Sequence, residues 1–339
     1  MQGVVSGMVA TLIRQKVLAK WRLFDYYYLI AIDATGVLSF RERHCPYCLT
    51  QQLSNGTTRY YHPVLEAKLI TENGFAFSLM SEFIENREIG ASKQDCELKA
   101  FYRLAERLKK RFPRLPMCLL MDGLFAGGPT FDICERYDWK YLIVLKDSDL
   151  ADINQEFEAL LGLAAENRKQ VALKNGDLQT YRWMNGISYT DAQQKQHTLS
   201  VLECIETSAG KVQTGKHKWL ANFLVTSGNV TILAKSGRLR WKIENEGFNI
   251  QKNGGYRLEH AYSQDDVAGK IFYFLLQIAY LIFQLMEKGS LFHDAFPKGL
   301  GSLKNIAFHL LEAWRNLQLD DQEFTLLCEG SYQIRLDTS

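Results

Sequence analysis

The sequence predicts an α/β protein built on a mixed sheet. Three observations point there: three strand-like runs joined by short links, two short fully apolar runs each followed by a helical pattern, and a later return to period two before a helical end. With 339 residues, 47% of them apolar and 23% charged, the chain is long enough for one large domain or two ordinary ones around a sizeable core. Six prolines and no low-complexity tract exclude a collagenous or linker-rich protein. No apolar run of eighteen residues lacks a polar break. The greasiest stretch, Ile271 to Met286, contains Gln277 and Gln284 and is expected to be a buried helix and not a membrane span. The start lacks a secretory pattern, and seven scattered cysteines fit a reducing cytosol, so a cytoplasmic protein is expected. A net charge of +2 neither implies nor excludes nucleic acid.

Residues 1–24 are mildly basic and read as a short helical piece. Tyr26 to Phe40 is aromatic and β-branched, a buried strand. Thr58 to Thr71 and Gly74 to Glu85 follow as strands, with Glu72-Asn73-Gly74 between them as a hairpin signal, because glycine accepts the positive φ of a tight turn. Ser92 to Phe112 switches to period 3.6, with acids at its start, Lys109, Lys110 and Arg111 at its end, and Pro113 and Pro116 beyond. Met117 to Met121 and Tyr141 to Lys146 are fully apolar strands, each leading to a helix, around Phe131 to Tyr137 and Ile153 to Leu163. Three antiparallel strands followed by parallel strands with helices is the order of an RNase H-like core. A doubly wound sheet with a hairpin edge reads similarly. Leu178 to Met184, His197 to Ile205 and Trp219 to Val225 suggest a β-rich insertion, and the chain turns helical from Gly237 to about Lys288, with a break at Gly254-Gly255. The expected division is therefore 1–24, a helical remnant; 25–165, the first part of the core; 166–232, the insertion; 233–290, the helical part of the core; and 291–339, a tail.

Asp33 lies within an apolar strand and Asp122 directly follows one. A carboxylate there is costly to bury unpaired, so each needs a turn to cap, a counterion or a metal. Two such acids on strands expected to be neighbours favour a shared site. A third acid stands in Arg240-Trp-Lys-Ile-Glu244-Asn-Glu246, where Arg240 and Glu244 are helical i,i+4 neighbours. An exposed salt-bridged helix would give the same spacing, but Trp241, Ile243, Phe248 and Ile250 interleave with the charges.

AIDATG around Asp33, LLMDGLFA around Asp122 and RWKIENEGFNIQK around Glu244 resemble a DDE transposase of bacterial insertion sequences, in the group with a Y-x2-R-x3-E-x6-K signature. HCPYCLT, TRYYHPVLEAKLIT, SEFIENRE and KNGGYRLEHAYS extend the similarity over most of residues 25 to 290. The chain departs from the pattern in three ways. Position 237 is Gly and not Tyr, Lys252 comes one residue late, and Glu246 competes with Glu244 as third acid. Members of the group also carry a substantial domain ahead of the first Asp, so a truncated copy, or one whose end recognition is supplied elsewhere, is expected.

The resemblance implies metal-dependent DNA strand cleavage and strand transfer, with two Mg2+ (or Mn2+) ions on Asp33, Asp122 and Glu244. Carboxylates are the hard oxygen donors such ions take. It further implies DNA as partner, both transposon ends and target, and a dimer in a synaptic complex, with Arg240, Lys242 and Lys252 on phosphates. Trp219 or Trp183 would hold a flipped base, although a core tryptophan is the commoner role. Local charge agrees with a polyanion partner: residues 93–114 hold eight Lys/Arg against three Asp/Glu, and residues 235–259 six against three. An RNase H-like nuclease without strand transfer would use the same acids, and an inactive or domesticated DNA-binding remnant is the non-enzymatic alternative. Separately, His44-Cys45-Pro-Tyr-Cys48 with His62 and Cys96 could assemble a structural zinc site or simply be buried thiols.

Overall fold

Strand β1 (Tyr28–Phe40) is the axis of the structure, because it pairs in opposite senses on its two sides: antiparallel with β3 (Thr58–Ile70) and parallel with β5 (Met117–Met121). The computed structural model describes residues 1–40, 42, 45–86, 94–208, 212–263, 265–289 and 301–330. On its far edge β3 carries two strands in succession, β2 (Leu49–Gln52) and β4 (Ala76–Phe83). On the other side β5 pairs in parallel with β6 (Lys140–Val144), which pairs antiparallel with β10 (Gln213–Ala221). From β10 the sheet continues through β9 (Gln196–Thr207), β8 (Leu178–Thr190) and β7 (Arg168–Ala172). All ten described strands belong to one mixed sheet, so the fold is α/β. The strands expected as an insertion are thus continuous with the rest of the sheet through the β6–β10 ladder.

Period-two alternation assigns the two faces. Ile30, Ile32, Leu119 and Met121 point to a core shared with α2 (Glu97–Arg111), α3 (Gly128–Tyr137) and α4 (Ala151–Leu161). Leu29, Ala31, Cys118 and Leu120 point the other way, beneath α5 (Val230–Arg238) and the helical segment 239–253. The N-terminal helix α1 (Gln2–Arg14) packs against β4, with Val5 and Val9 fully buried, and is an integral part of the first layer.

Several boundaries differ from expectation for identifiable reasons. Helix α2 begins at Glu97, after Asp95 has been tied back by Arg103 at 2.7 Å; Ser92 lies outside the described residues. The last insertion strand ends at Ala221 and does not reach Val225, because the Asn222 side chain takes over the pairing, accepting from Tyr141 N and donating to Trp139 O, both at 2.9 Å. Strands β2 and β7 are polar sheet edges (LTQQ and RKQVA), which carry no apolar alternation to read. The β3–β4 turn closes as expected, with Gly74 at φ +93°.

Helix α6 (Asp266–Lys288) has the length and hydropathy of a span, but it is docked along one face, while Ile271, Phe272, Leu275 and Ile282 of the other are exposed. Its buried glutamines are bonded into the fold. Gln284 accepts from Ala76 N at 2.7 Å, and Gln277 accepts from Lys68 at 3.0 Å and from Gln251 at 2.8 Å. Helices α7 (Leu303–Asn316) and α8 (Asp321–Glu329) follow in the expected tail.

Glu66 and Lys68 on β3 form an ion pair 3.3 Å apart in which both side chains are 0% exposed. Glu66 accepts from Ser78 at 2.7 Å and from the Ser81 and Tyr273 hydroxyls. Burial lowers the Lys68 pKa against the pull of Glu66. Replacing both charges with matched apolar groups is tolerable in such a place, but removing one strands the other. Lys68→Met is therefore expected to destabilise the fold by about 3–5 kcal/mol in chemical denaturation, and Glu66→Gln added to it is expected to restore part of that loss.

Candidate functional site

The two aspartates continue alternations set by the strands before them. Asp33 follows Leu29 and Ala31 on β1; Asp122 follows Cys118 and Leu120 on β5. The parallel register pairs Ala31 with Leu120. Two residues beyond that last pair, Asp33, midway along β1, and Asp122, just past the end of β5, come level on the same face. Asp122 also caps the turn Gly123–Phe125, its Oδ1 accepting from Leu124 N at 3.0 Å, so the capping role and the site position coexist.

The third acid arrives from above, on an irregular helix. After α5 the chain passes through a 3-10 turn, Leu239–Trp241, and a π-helical stretch, Ile243–Asn249. Wide turns of this kind accommodate an extra residue and recur at functional sites. The same one-residue excess separates Lys252 from the signature spacing. Arg240, 8% exposed, lies between two acids: Nη1 is 3.2 Å from Asp33 Oδ2 and Nη2 is 3.1 Å from Glu244 Oε1. Asp33 Oδ1 accepts from Ala34 N at 2.9 Å. Burial, outweighing Arg240 and reinforced by Glu244 and Asp122, pushes the Asp33 carboxyl up to about 7. The cluster is short of positive charge.

Glu246 does not share this position. Its carboxylate pairs with Lys242 at 2.7 Å beside Gly74 in the β3–β4 turn, and its backbone carbonyl accepts from the Tyr280 hydroxyl. Lys242 faces a separate groove with Lys169, Lys235 and Arg238, while Lys252 is paired with Glu259 at 2.8 Å. Of the three cations expected on phosphates, Arg240 alone touches the acids.

A cleft of about 370 Å3 opens beside Asp122, lined by Lys146, Lys216, Arg238, Arg240 and Trp241 among others. Trp219 also borders it, but its indole is 2% exposed, and Trp183 is 4% exposed. Both belong to the core beneath α5, so neither ring is presented to a flipped base as expected. The exposed indole is Trp241, 51% accessible, with the Arg240 guanidinium 4.8 Å from its ring. Of the apolar residues that interleave with the charges in this segment, Ile243 and Phe248 are buried and Trp241 is not. Glu97 was also missed. Its carboxyl is raised by burial and by Asp122, yet at the start of an amphipathic helix it reads as an ordinary first-turn acid.

Gly237, where the signature has tyrosine, is explained by packing: a Cβ there would lie 2.6 Å from Trp219 Nε1. The indole occupies the room that a side chain at 237 would need.

No protein-family model matches the sequence, and no curated protein matches it.

Gly237→Ala is expected to cost about 1–3 kcal/mol through overpacking and to lower the melting temperature. Trp219→Leu in the same chain is expected to recover part of the loss, which a simple helix-propensity effect would not allow.

Proposed function

We propose that this chain is the RNase H-like catalytic core of a DDE transposase, cleaving DNA strands and joining the freed 3′ ends to target DNA. The observation that carries the proposal is the convergence of Asp33 and Glu244 on Arg240, with Asp122 level with Asp33 at the end of the adjacent parallel strand. The central strand order, β4-β3-β1-β5-β6, with the first three antiparallel and the last two parallel to β1, supports the RNase H-like assignment. The cleft beside Asp122 carries Lys146 and Arg240 together with Lys216, Lys218 and Arg238, the last three ion-paired with Asp147 or Glu206, and this excess of cations suits a phosphodiester backbone.

The donor set suits Mg2+ or Mn2+. Asp33, Asp122 and Glu244 offer hard carboxylate oxygens, and their shortage of positive charge is what divalent ions would make good. When bound, such ions supply charge stabilisation at phosphorus and a deprotonated nucleophile. The chain's own part is to position. The strands β1 and β5 place the two aspartates, the π turn carries Glu244, and Arg240 pairs with both Asp33 and Glu244. Asp33, Asp122 and Glu244 would hold the ions, and the Arg240 guanidinium, which also lines the cleft, would be available to a phosphate of the bound strand. Trp241, exposed at the cleft edge, offers an aromatic face to a base.

Two outcomes are expected. In a supercoiled-plasmid assay with Mn2+, Asp122→Asn and Glu244→Gln each reduce nicking by on the order of a hundredfold or more, whereas Glu246→Gln retains it. Loss with Glu246→Gln and retention with Glu244→Gln would exchange the third ligand. Nicking without any joined product would indicate a nuclease. In a separate thermal assay, Mn2+ at about 100 times its dissociation constant stabilises the wild-type chain by about 2.7 kcal/mol and leaves Asp33→Asn unmoved. The absence of both nicking and stabilisation overturns the proposal.

A further inference from the structure

Of the candidate donors, Cys45, Cys48 and His62 come together, without Cys96. Cys45 Sγ lies 3.0 Å and Cys48 Sγ 3.1 Å from His62 Nε2, and the two sulfurs are 3.7 Å apart. All three donor atoms fall within 4.8 Å of one another. Cys96, exposed at the start of α2, is not a member of the group. His44 lies outside the described residues.

The local structure builds this arrangement. Cys45-Pro46-Tyr47-Cys48 is a tight turn, closed by Cys48 N donating to Cys45 O at 3.4 Å, so both sulfurs leave on one side. The turn is pinned from outside by Asn86, whose backbone N donates to Tyr47 O at 2.9 Å and whose side chain donates to Cys48 O at 3.0 Å. His62 comes from a different element, β3, opposite Leu38 of β1, and is 5% exposed. A polar ring is thus buried with its Nε2 facing two thiols, in a turn whose shape is set by backbone hydrogen bonds. Asp266, at the start of α6, adds negative charge close to His62 and Cys48.

We propose that Cys45, Cys48 and His62 hold a soft divalent cation, Zn2+, that staples the Cys45–Cys48 turn ahead of β2 to strand β3. Tetrahedral bonds of about 2.3 Å to sulfur place two sulfurs about 3.8 Å apart, which is the separation found. The sulfur–nitrogen pairs are closer than the roughly 3.5 Å such a site needs, so the imidazole moves outward by about half an ångström when the ion enters. Two thiolates balance the charge of the ion, and a water takes the fourth position. Binding releases the two thiol protons to solvent and involves no change of oxidation state. Sulfur and imidazole donors discriminate against Mg2+ and Mn2+, so this cation is distinct from any held by the carboxylates. Leu38, opposite His62, lies five residue steps along β1 from Asp33, roughly 16 Å along a strand.

The test uses the full chain, purified without chelator and assayed for bound metal, followed by mercurial release into a zinc indicator. One equivalent of zinc per chain is expected, together with a thiolate-to-metal charge-transfer band when the stripped wild-type protein is given Co2+. Cys45→Ser and His62→Ala are expected to weaken zinc binding by at least the 10–100-fold typical of losing even an outer partner, while Cys96→Ser binds as wild type. The wild-type Co2+ spectrum stands even where a variant fails to fold. A metal-free wild-type chain with no charge-transfer band overturns the proposal. So does a count of five free thiols in the unreduced denatured protein, which would make the pair a disulfide.

Discussion

A carboxylate midway along the central strand is the constraint around which this structure is arranged. Asp33 is mostly buried, and a single guanidinium answers both it and Glu244. One positive charge opposite two acids, with Asp122 level on the next strand, leaves the cluster under-neutralised, and burial dominates the rise in the Asp33 pKa. An isolated buried charge is rarely tolerated, and a protein that keeps one has something to gain from it. Here the surrounding elements are placed so that the acids stay together. The parallel register brings Asp122 level, and the π turn projects Glu244 from the opposite layer.

That projection depends in turn on what lies beneath it. Segment 239–253 rests on β3, where the Lys68 stem fills the space under Gly247 and its ammonium lies 5.6 Å from the Phe248 ring. Lys68 is held by Glu66, and Glu66 is the register partner of Asp33 across the β1–β3 ladder. Helix α6 closes the network from outside through Gln277, which bonds both Lys68 and Gln251. The third acid is therefore supported by a polar layer satisfied on every side that the described residues reveal. A layer of this kind specifies one arrangement more sharply than apolar packing does.

The parts of this design that were legible in the sequence are those that obey a period. Met117–Met121 and Tyr141–Val144 are fully apolar because both faces of the central sheet are covered, and that composition alone points to parallel pairing. Asp33 and Asp122 were visible as interruptions of the same runs. What was not legible has no period. The polar edges β2 and β7 carry no alternation, and the end of β10 is set by one asparagine bonding across to Trp139 and Tyr141. The exposure of Trp241 depends on a 3-10 turn followed by a π turn, a change of helical phase that residue spacing cannot register. For the same reason Lys242 and Lys252, basic and close in sequence to Glu244, face elsewhere.

Gly237 and Trp219 show how packing alone can demand a glycine within a helix. The indole of Trp219 is covered by α5 at the one helical position without a Cβ. From there it lies over the β6–β10 ladder, paired with Val144, and its ring stacks at 23° on His217. A tyrosine at 237 and a tryptophan at 219 compete for one volume, so a chain that keeps the indole in the core must give up the side chain above it. Trp241, the exposed indole bordering the cleft, follows Arg240 directly in the tightened turn Leu239–Trp241, where Arg240 reaches the acids and the next side chain stays accessible. Adjacent residues thus serve opposite sides of the same helix, one neutralising the buried carboxylates and the other facing solvent at the edge of the basic cleft.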